Sequence, residues 1–238
     1  MHKKNGDYSP FFFANCIIVR YGGFIMEAYL GAVLMRAFHI LFGILWIGLL
    51  YYFNFVQTEY FKESSPEAKS DVVKKLVPNA LWYFRYAALF TFLTGLYLLY
   101  WLGIATSVGI ALGALMATFM AANVWFIIWP NQKKVIAGAT DAAEAGAKAG
   151  LASRTNTLFS IPMLYLMVYS AHAGTGGVSS NLLISGNLTG FWIGLAIILV
   201  IELNAIFGKM NPMIASVKAV IHSGLALGII FALLVQYL

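Results

Sequence analysis

The sequence predicts an all-α, polytopic membrane protein with about six transmembrane helices. Three observations predict it. The 238 residues are 61% hydrophobic and only 10% charged, whereas a soluble domain carries roughly a quarter charged residues. Mean hydropathy is +0.80. Apolar runs of about 20 residues, long enough to cross a bilayer as helices, recur at 29–55, 79–101, 108–129, 156–172, 189–207 and 213–237. Little sequence is left between them, so residues 26–238 read as one transmembrane domain in the lipid bilayer.

The loop charges give each element a direction. Lys62, Lys69, Lys74 and Lys75 lie between the first two runs, Lys133, Lys134, Lys148 and Arg154 between the third and fourth, and Lys209 between the last two. The alternate loops, around 103–107 and 174–188, carry no charge. The positive-inside rule then places the lysine loops in the cytoplasm and both termini outside. Aromatic residues fall where belts belong, with Tyr51, Tyr52, Trp82, Tyr83, Trp125 and Trp129 near the inner surface. Tyr97, Tyr100, Trp101, Tyr169, Trp192 and Tyr237 fall near the outer one. The alanine- and glycine-rich stretch 131–153 reads as a short interfacial helix.

Residues 1–25 look unlike the rest and carry Lys3, Lys4 and Arg20 against the charge pattern. They read as an N-terminal extension. Tyr21-Gly22-Gly23-Phe24-Ile25 precedes Met26, and two glycine codons can spell a bacterial ribosome-binding sequence, so Met26 is the expected start.

The first run, 29–55, holds Arg36, His39, Gly43 and Trp46 at helical spacing, on one face. An arginine and a histidine in the hydrocarbon region are costly and point to a functional site. This face suits haem. Imidazole can ligate iron, glycine admits a close approach, and arginine can neutralise a propionate. His39 lies about 15 Å below the outer surface at 1.5 Å per residue. His172, at the outer end of the fourth run, and His222, near the middle of the sixth, are candidates for the opposite iron ligand. The only cysteine, Cys16, excludes a Cys-x-x-Cys-His haem c site, a thiolate zinc site and an internal disulfide. Any haem is therefore non-covalent haem b. The net charge of +6 sits in short loops as a topology signal and does not point to nucleic acid.

Glu202 and Lys218 lie at matching depth on the last two runs, with Arg85 at a similar level, which predicts an intramembrane ion cluster. Its alternative role is a proton path or anion site. The fourth run carries Asn156, Pro162, Met163, Met167 and His172, with Arg154 just before it. The loop Ala173-Gly174-Thr175-Gly176-Gly177 lacks a phosphate-loop ending and reads as a flexible connection.

Three motifs carry a family resemblance. They are His39-x3-Gly43-x2-Trp46-x-Gly48 followed by Tyr51-Tyr52-Phe53-Asn54; Asn123-Val124-Trp125 running to Trp129-Pro130-Asn131-Gln132-Lys133-Lys134; and Ser153-Arg154-Thr155-Asn156 followed by Pro162, Met163, Met167 and His172. Together they resemble the membrane domain of the bacterial membrane-bound, cytochrome-linked urate hydroxylases, the urate oxidase N-terminal family. The resemblance implies oxidation of urate, by water addition, to 5-hydroxyisourate. Electrons then pass to a cytochrome c, which in that family is fused at the C-terminus and here would be a separate periplasmic protein. It further implies His39 as iron ligand and Arg36 as the partner of a propionate or of the urate anion. Arg154 and Asn156 become candidate substrate contacts. Two alternatives belong to other classes: a non-catalytic haem-binding subunit of a respiratory complex, and a small-molecule carrier whose path is lined by Glu202, Lys218 and Arg85.

Overall fold

The computed structural model describes residues 10–103, 106–172 and 187–238, with side chains from Tyr29 onward. The secondary structure described is helical, without strands. In chain order it comprises α1 (Pro10–Tyr51), a π-helical turn π1 (Tyr52–Gln57), α2 (Thr58–Glu63), α3 (Pro66–Leu102), α4 (Val108–Ala122), a second π-helical turn π2 (Asn123–Ile128), α5 (Trp129–Ala137), α6 (Ala142–His172), α7 (Thr189–Phe207) and α8 (Val217–Tyr237). No break separates α1, π1 and α2, nor α4, π2 and α5, so each trio is one rod. The glycine-rich loop 173–177, like Lys3 and Lys4, lies outside the described residues.

Four of these rods are long and apolar enough to cross a membrane: Tyr29–Glu63, Val108–Ala137, Thr189–Phe207 and Val217–Tyr237. α3 and α6 are as long or longer, at 37 and 31 residues, but tyrosines and polar side chains dilute their hydropathy. The described surface is rich in exposed Leu, Ile, Val and Phe, Leu30, Ile44, Val200 and Ile229 among them. Lipid accepts such a surface and water does not.

Local signals start and stop the rods. Ser65, Ser107 and Ser216 accept from the backbone N–H three residues on, at 3.2, 3.2 and 3.1 Å, capping α3, α4 and α8. α8 therefore starts at Val217, later than the predicted 213. Gly138, at φ 63°, ends α5: its N–H reaches Val135 O at 3.2 Å and that of Ala139 reaches Lys134 O at 3.0 Å. The stretch 131–153 is accordingly no separate interfacial helix. Its first part completes α5 and its last part is the opening of α6. Lys134 closes this turn on Asp141 at 2.6 Å and holds that exposed carboxyl below its ordinary value. The contact's contribution is therefore present above the ordinary carboxylate value and is lost as pH falls through the lowered one.

α6 is the axis of the bundle, touching α4, π2, α5, α7 and α8 and reaching α1 and π1. α1 packs chiefly on α3, and α8 on α6 and α7. Small residues let the rods close. A Cβ at Gly190 would stand 2.6 Å from Leu234 O, one at Gly194 2.8 Å from Leu112, and one at Gly224 2.7 Å from Ile161.

The α1–α3 contact gives a stability prediction. A Cβ at Gly95 would stand 3.1 Å from His39 Cε1, and that ring cannot retreat without stretching the hydrogen bonds described below. Gly95→Ala should cost about 1 kcal/mol, measured as a lower unfolding midpoint in detergent.

Candidate functional site

The predicted ligand face of α1 is in large part a packing face. His39 Nδ1 lies 2.9 Å from Thr91 O and 3.0 Å from Thr94 Oγ1, both on α3. A carbonyl only accepts, so Nδ1 carries the proton. Gly43 also faces Thr91, and Trp46 is 1% exposed in the core, its indole N–H without a partner. Arg36 is exposed. His172 and His222 are both exposed, at the end of α6 and on α8. With α8 packed on α6 and α7, the structure does not set His222 against His39.

The predicted ion cluster does not form. Among the described residues the ion pairs are Lys62–Glu59, Lys75–Asp71, Lys134–Asp141 and Lys148–Glu144, all at the surface. Lys218 is exposed. Arg85 places its guanidinium 3.9 Å from the centre of the Trp129 ring and 5.0 Å from that of Tyr86. Its own carbonyl accepts from Trp125 Nε1 at 3.1 Å. Aromatic faces thus stand in for the expected carboxylate.

What the structure assembles is a polar seam on α6. Residues 154–160, Arg-Thr-Asn-Thr-Leu-Phe-Ser, are all buried. The seam meets both π-helical turns. A π turn carries one residue more than an α turn and re-aims the side chains it contains, and such turns concentrate at functional sites. From π1, Asn54 donates to Ser153 Oγ at 2.8 Å and to Leu50 O at 2.9 Å. From the end of α1, Tyr51 donates to Ser160 Oγ at 2.8 Å, while Ser160 donates to Thr157 O at 2.7 Å. From π2, Asn123 donates to Asn156 Oδ1 at 3.0 Å and to Glu202 Oε2 on α7 at 3.2 Å. Asn156, with 0% exposure, donates in turn to Met120 O at 2.9 Å.

Two members of the seam each keep an enclosed polar atom without a hydrogen-bond partner. Arg154 is 6% exposed, and its Nη1 is enclosed with no acceptor. The carboxylate of Glu59, on α2, acts on it only through space. Thr155 is 1% exposed and its hydroxyl is also unbonded. A guanidinium offers five donors, and burying it unsatisfied is expensive. The arrangement can receive a small planar acceptor-rich anion, which a guanidinium fork grips in two places. Among the described residues, no three His, Cys, Asp or Glu side chains gather as a metal site.

In the sequence His39 is the first candidate, and Asn54 and Asn123 carry no role beyond their motifs. Spacing could not show that the three motif segments converge on one side of α6. Their polar residues, in otherwise apolar runs, were the available signal.

The chain matches the urate oxidase N-terminal family over residues 105–201. That segment contains α4, π2, α5, α6 and the first two thirds of α7, hence Asn123, Arg154, Thr155 and Asn156. No curated protein and no solved structure matches the chain.

Proposed function

We propose that this chain is a six-span membrane oxidoreductase of the urate hydroxylase type, with both termini on the periplasmic side of the inner membrane, and that Arg154 receives the urate anion. The observation that carries the reading is the coincidence of the family match with the seam: the matched segment contains a buried arginine that lacks a hydrogen-bond acceptor. Urate is planar, anionic and lined with carbonyl and N–H edges. The guanidinium meets an anionic edge, Thr155 supplies a hydroxyl, and the low-dielectric surroundings strengthen both contacts. In the overall step the oxygen of water adds to the purine ring to give 5-hydroxyisourate. Two electrons leave to a periplasmic cytochrome c and two protons leave to solvent.

The donor set suits haem b, which His39 would hold. With its Nδ1 proton donated to the Thr91 carbonyl, His39 keeps the Nε2 lone pair for iron, the usual arrangement of a ligating imidazole. Arg36, exposed on the same helix, would answer a propionate. The haem would supply a one-electron relay between substrate and cytochrome. No observation favours the carrier alternative: Arg85 stacks on Trp129, Glu202 takes the Asn123 amide and Lys218 is exposed.

The test is a reduced-minus-oxidised spectrum of the purified full chain, before and after urate is added, with cytochrome c as acceptor. The expected result is a b-type signal, reduction by urate and loss of urate only when acceptor is present. A haem-supplied, folded protein that shows no b-type signal and leaves urate intact would overturn the reading. His39→Ala should abolish the Soret band while the helical circular dichroism persists; an unchanged Soret band in that variant removes His39 as ligand.

A further inference from the structure

Glu202 is the one carboxylate among the described residues that is buried in the bundle, at 4% exposure. The hydrogen bond it receives comes from the neutral amide of Asn123 at 3.2 Å. An ionised carboxylate taken out of water with no cation costs several kcal/mol, and a single amide donor does not offset that. A protonated carboxyl meets the same surroundings at little cost.

The elements packed against α7 offer no counter-charge. α4 carries no titratable residue. α6 carries Glu144, Lys148, Arg154, Tyr165, Tyr169 and His172, and α8 carries Lys218, His222 and Tyr237. None of these cations pairs with Glu202, since the ion pairs of the described residues are the four surface ones. Arg154, closest to Asn156 in sequence, lies two residues along α6, about 200° around the helix at 3.6 residues per turn. Asn123 spends both amide hydrogens, one on Glu202 and one on Asn156, which ties the carboxyl to α6 and, through Met120 O, to α4.

We propose that Glu202 is a proton-binding site of the bundle. The carboxyl rests neutral at neutral pH and is the exchangeable proton of the Glu202–Asn123–Asn156 network. This inference does not depend on the urate reading, because it concerns the resting protein.

Infrared difference spectroscopy of the detergent-purified full chain tests it, comparing wild type with Glu202→Gln over a pH series. The expected wild-type spectrum has a protonated-carboxyl band at neutral pH that shifts in deuterated water and is absent from Glu202→Gln. At alkaline pH carboxylate bands replace it. Asn123→Ala removes the amide donor to Glu202 Oε2 and should move the protonated-carboxyl band to higher frequency, as a C=O relieved of a hydrogen bond does. It also serves as the second variant if Glu202→Gln does not fold. Wild-type spectra that show no acid band at neutral pH overturn the proposal, as does an Asn123→Ala acid band that is unmoved or lowered in frequency.

Discussion

Arg154→Met should raise the unfolding midpoint of the protein while weakening urate binding by about 100-fold. The two effects have one cause. Arg154 is enclosed and its Nη1 has no acceptor, the Glu59 carboxylate acting only through space, so the resting fold holds a desolvated charge with an unsatisfied donor, and an apolar side chain of similar length removes that cost. Such replacements stabilise by about 1–4 kcal/mol, a few degrees of melting temperature for a chain of this size. The same change takes the charged fork away from an anion. Truncating one partner of a buried charged pair costs about 2–5 kcal/mol, and about 3 kcal/mol corresponds to the 100-fold loss. Thermal unfolding with and without urate reads both effects in one experiment. Arg154→Lys should fall between, because it keeps the charge and loses the planar fork. A methionine variant that melts lower and still responds fully to urate would make Arg154 a structural residue.

Asn156→Ala should destabilise the bundle by about 3 kcal/mol. Asn156 is fully buried and bridges two elements, accepting from Asn123 on π2 and donating to Met120 O on α4. Hydrogen bonds between membrane helices average only about 0.6 kcal/mol by double-mutant cycles, so their loss alone would be small. The larger part is one N–H of the Asn123 amide, left enclosed without an acceptor at about 1–3 kcal/mol, while Met120 O keeps the backbone N–H of Asn123. Chemical unfolding in detergent micelles measures it. A loss within about 0.5 kcal/mol would show that water enters the seam and takes the place of the amide.

These predictions rest on residues that the sequence ranked unevenly. The all-helical class and the positions of the rods were legible because lipid permits few solutions: backbone polar groups must bond within the segment, and about 20 apolar residues are needed to cross. The predicted apolar runs lie within the observed rods apart from the start of α8. Helix ends were less legible. The N-terminal capping serines 65, 107 and 216 and the left-handed Gly138 set them, and a hydropathy window is blind to each.

The candidate site was legible only as a set of residues. Arg154, Asn156 and Glu202 were picked out because polar groups in an apolar chain need a reason. Their partners were not, since Asn123 to Glu202 spans 79 residues and Asn54 to Ser153 spans 99. Matching depth suggested that Glu202 should pair with Lys218 and Arg85. The fold gave Glu202 to Asn123, stacked Arg85 on Trp129 and left Lys218 exposed. Depth is one coordinate and a contact needs all three.

By itself, then, the sequence determined that this is a helical chain with segments long and apolar enough to cross a membrane, and which side chains would be costly there, because hydrophobicity and helical length are properties of a segment. Tertiary structure alone decided that α6, less apolar than α3, α4, α7 or α8, is the axis of the bundle and that the two π turns aim asparagines at it. A helix enclosed by other helices can hold its polar residues where lipid never meets them, and enclosure belongs to the neighbours, not to the segment.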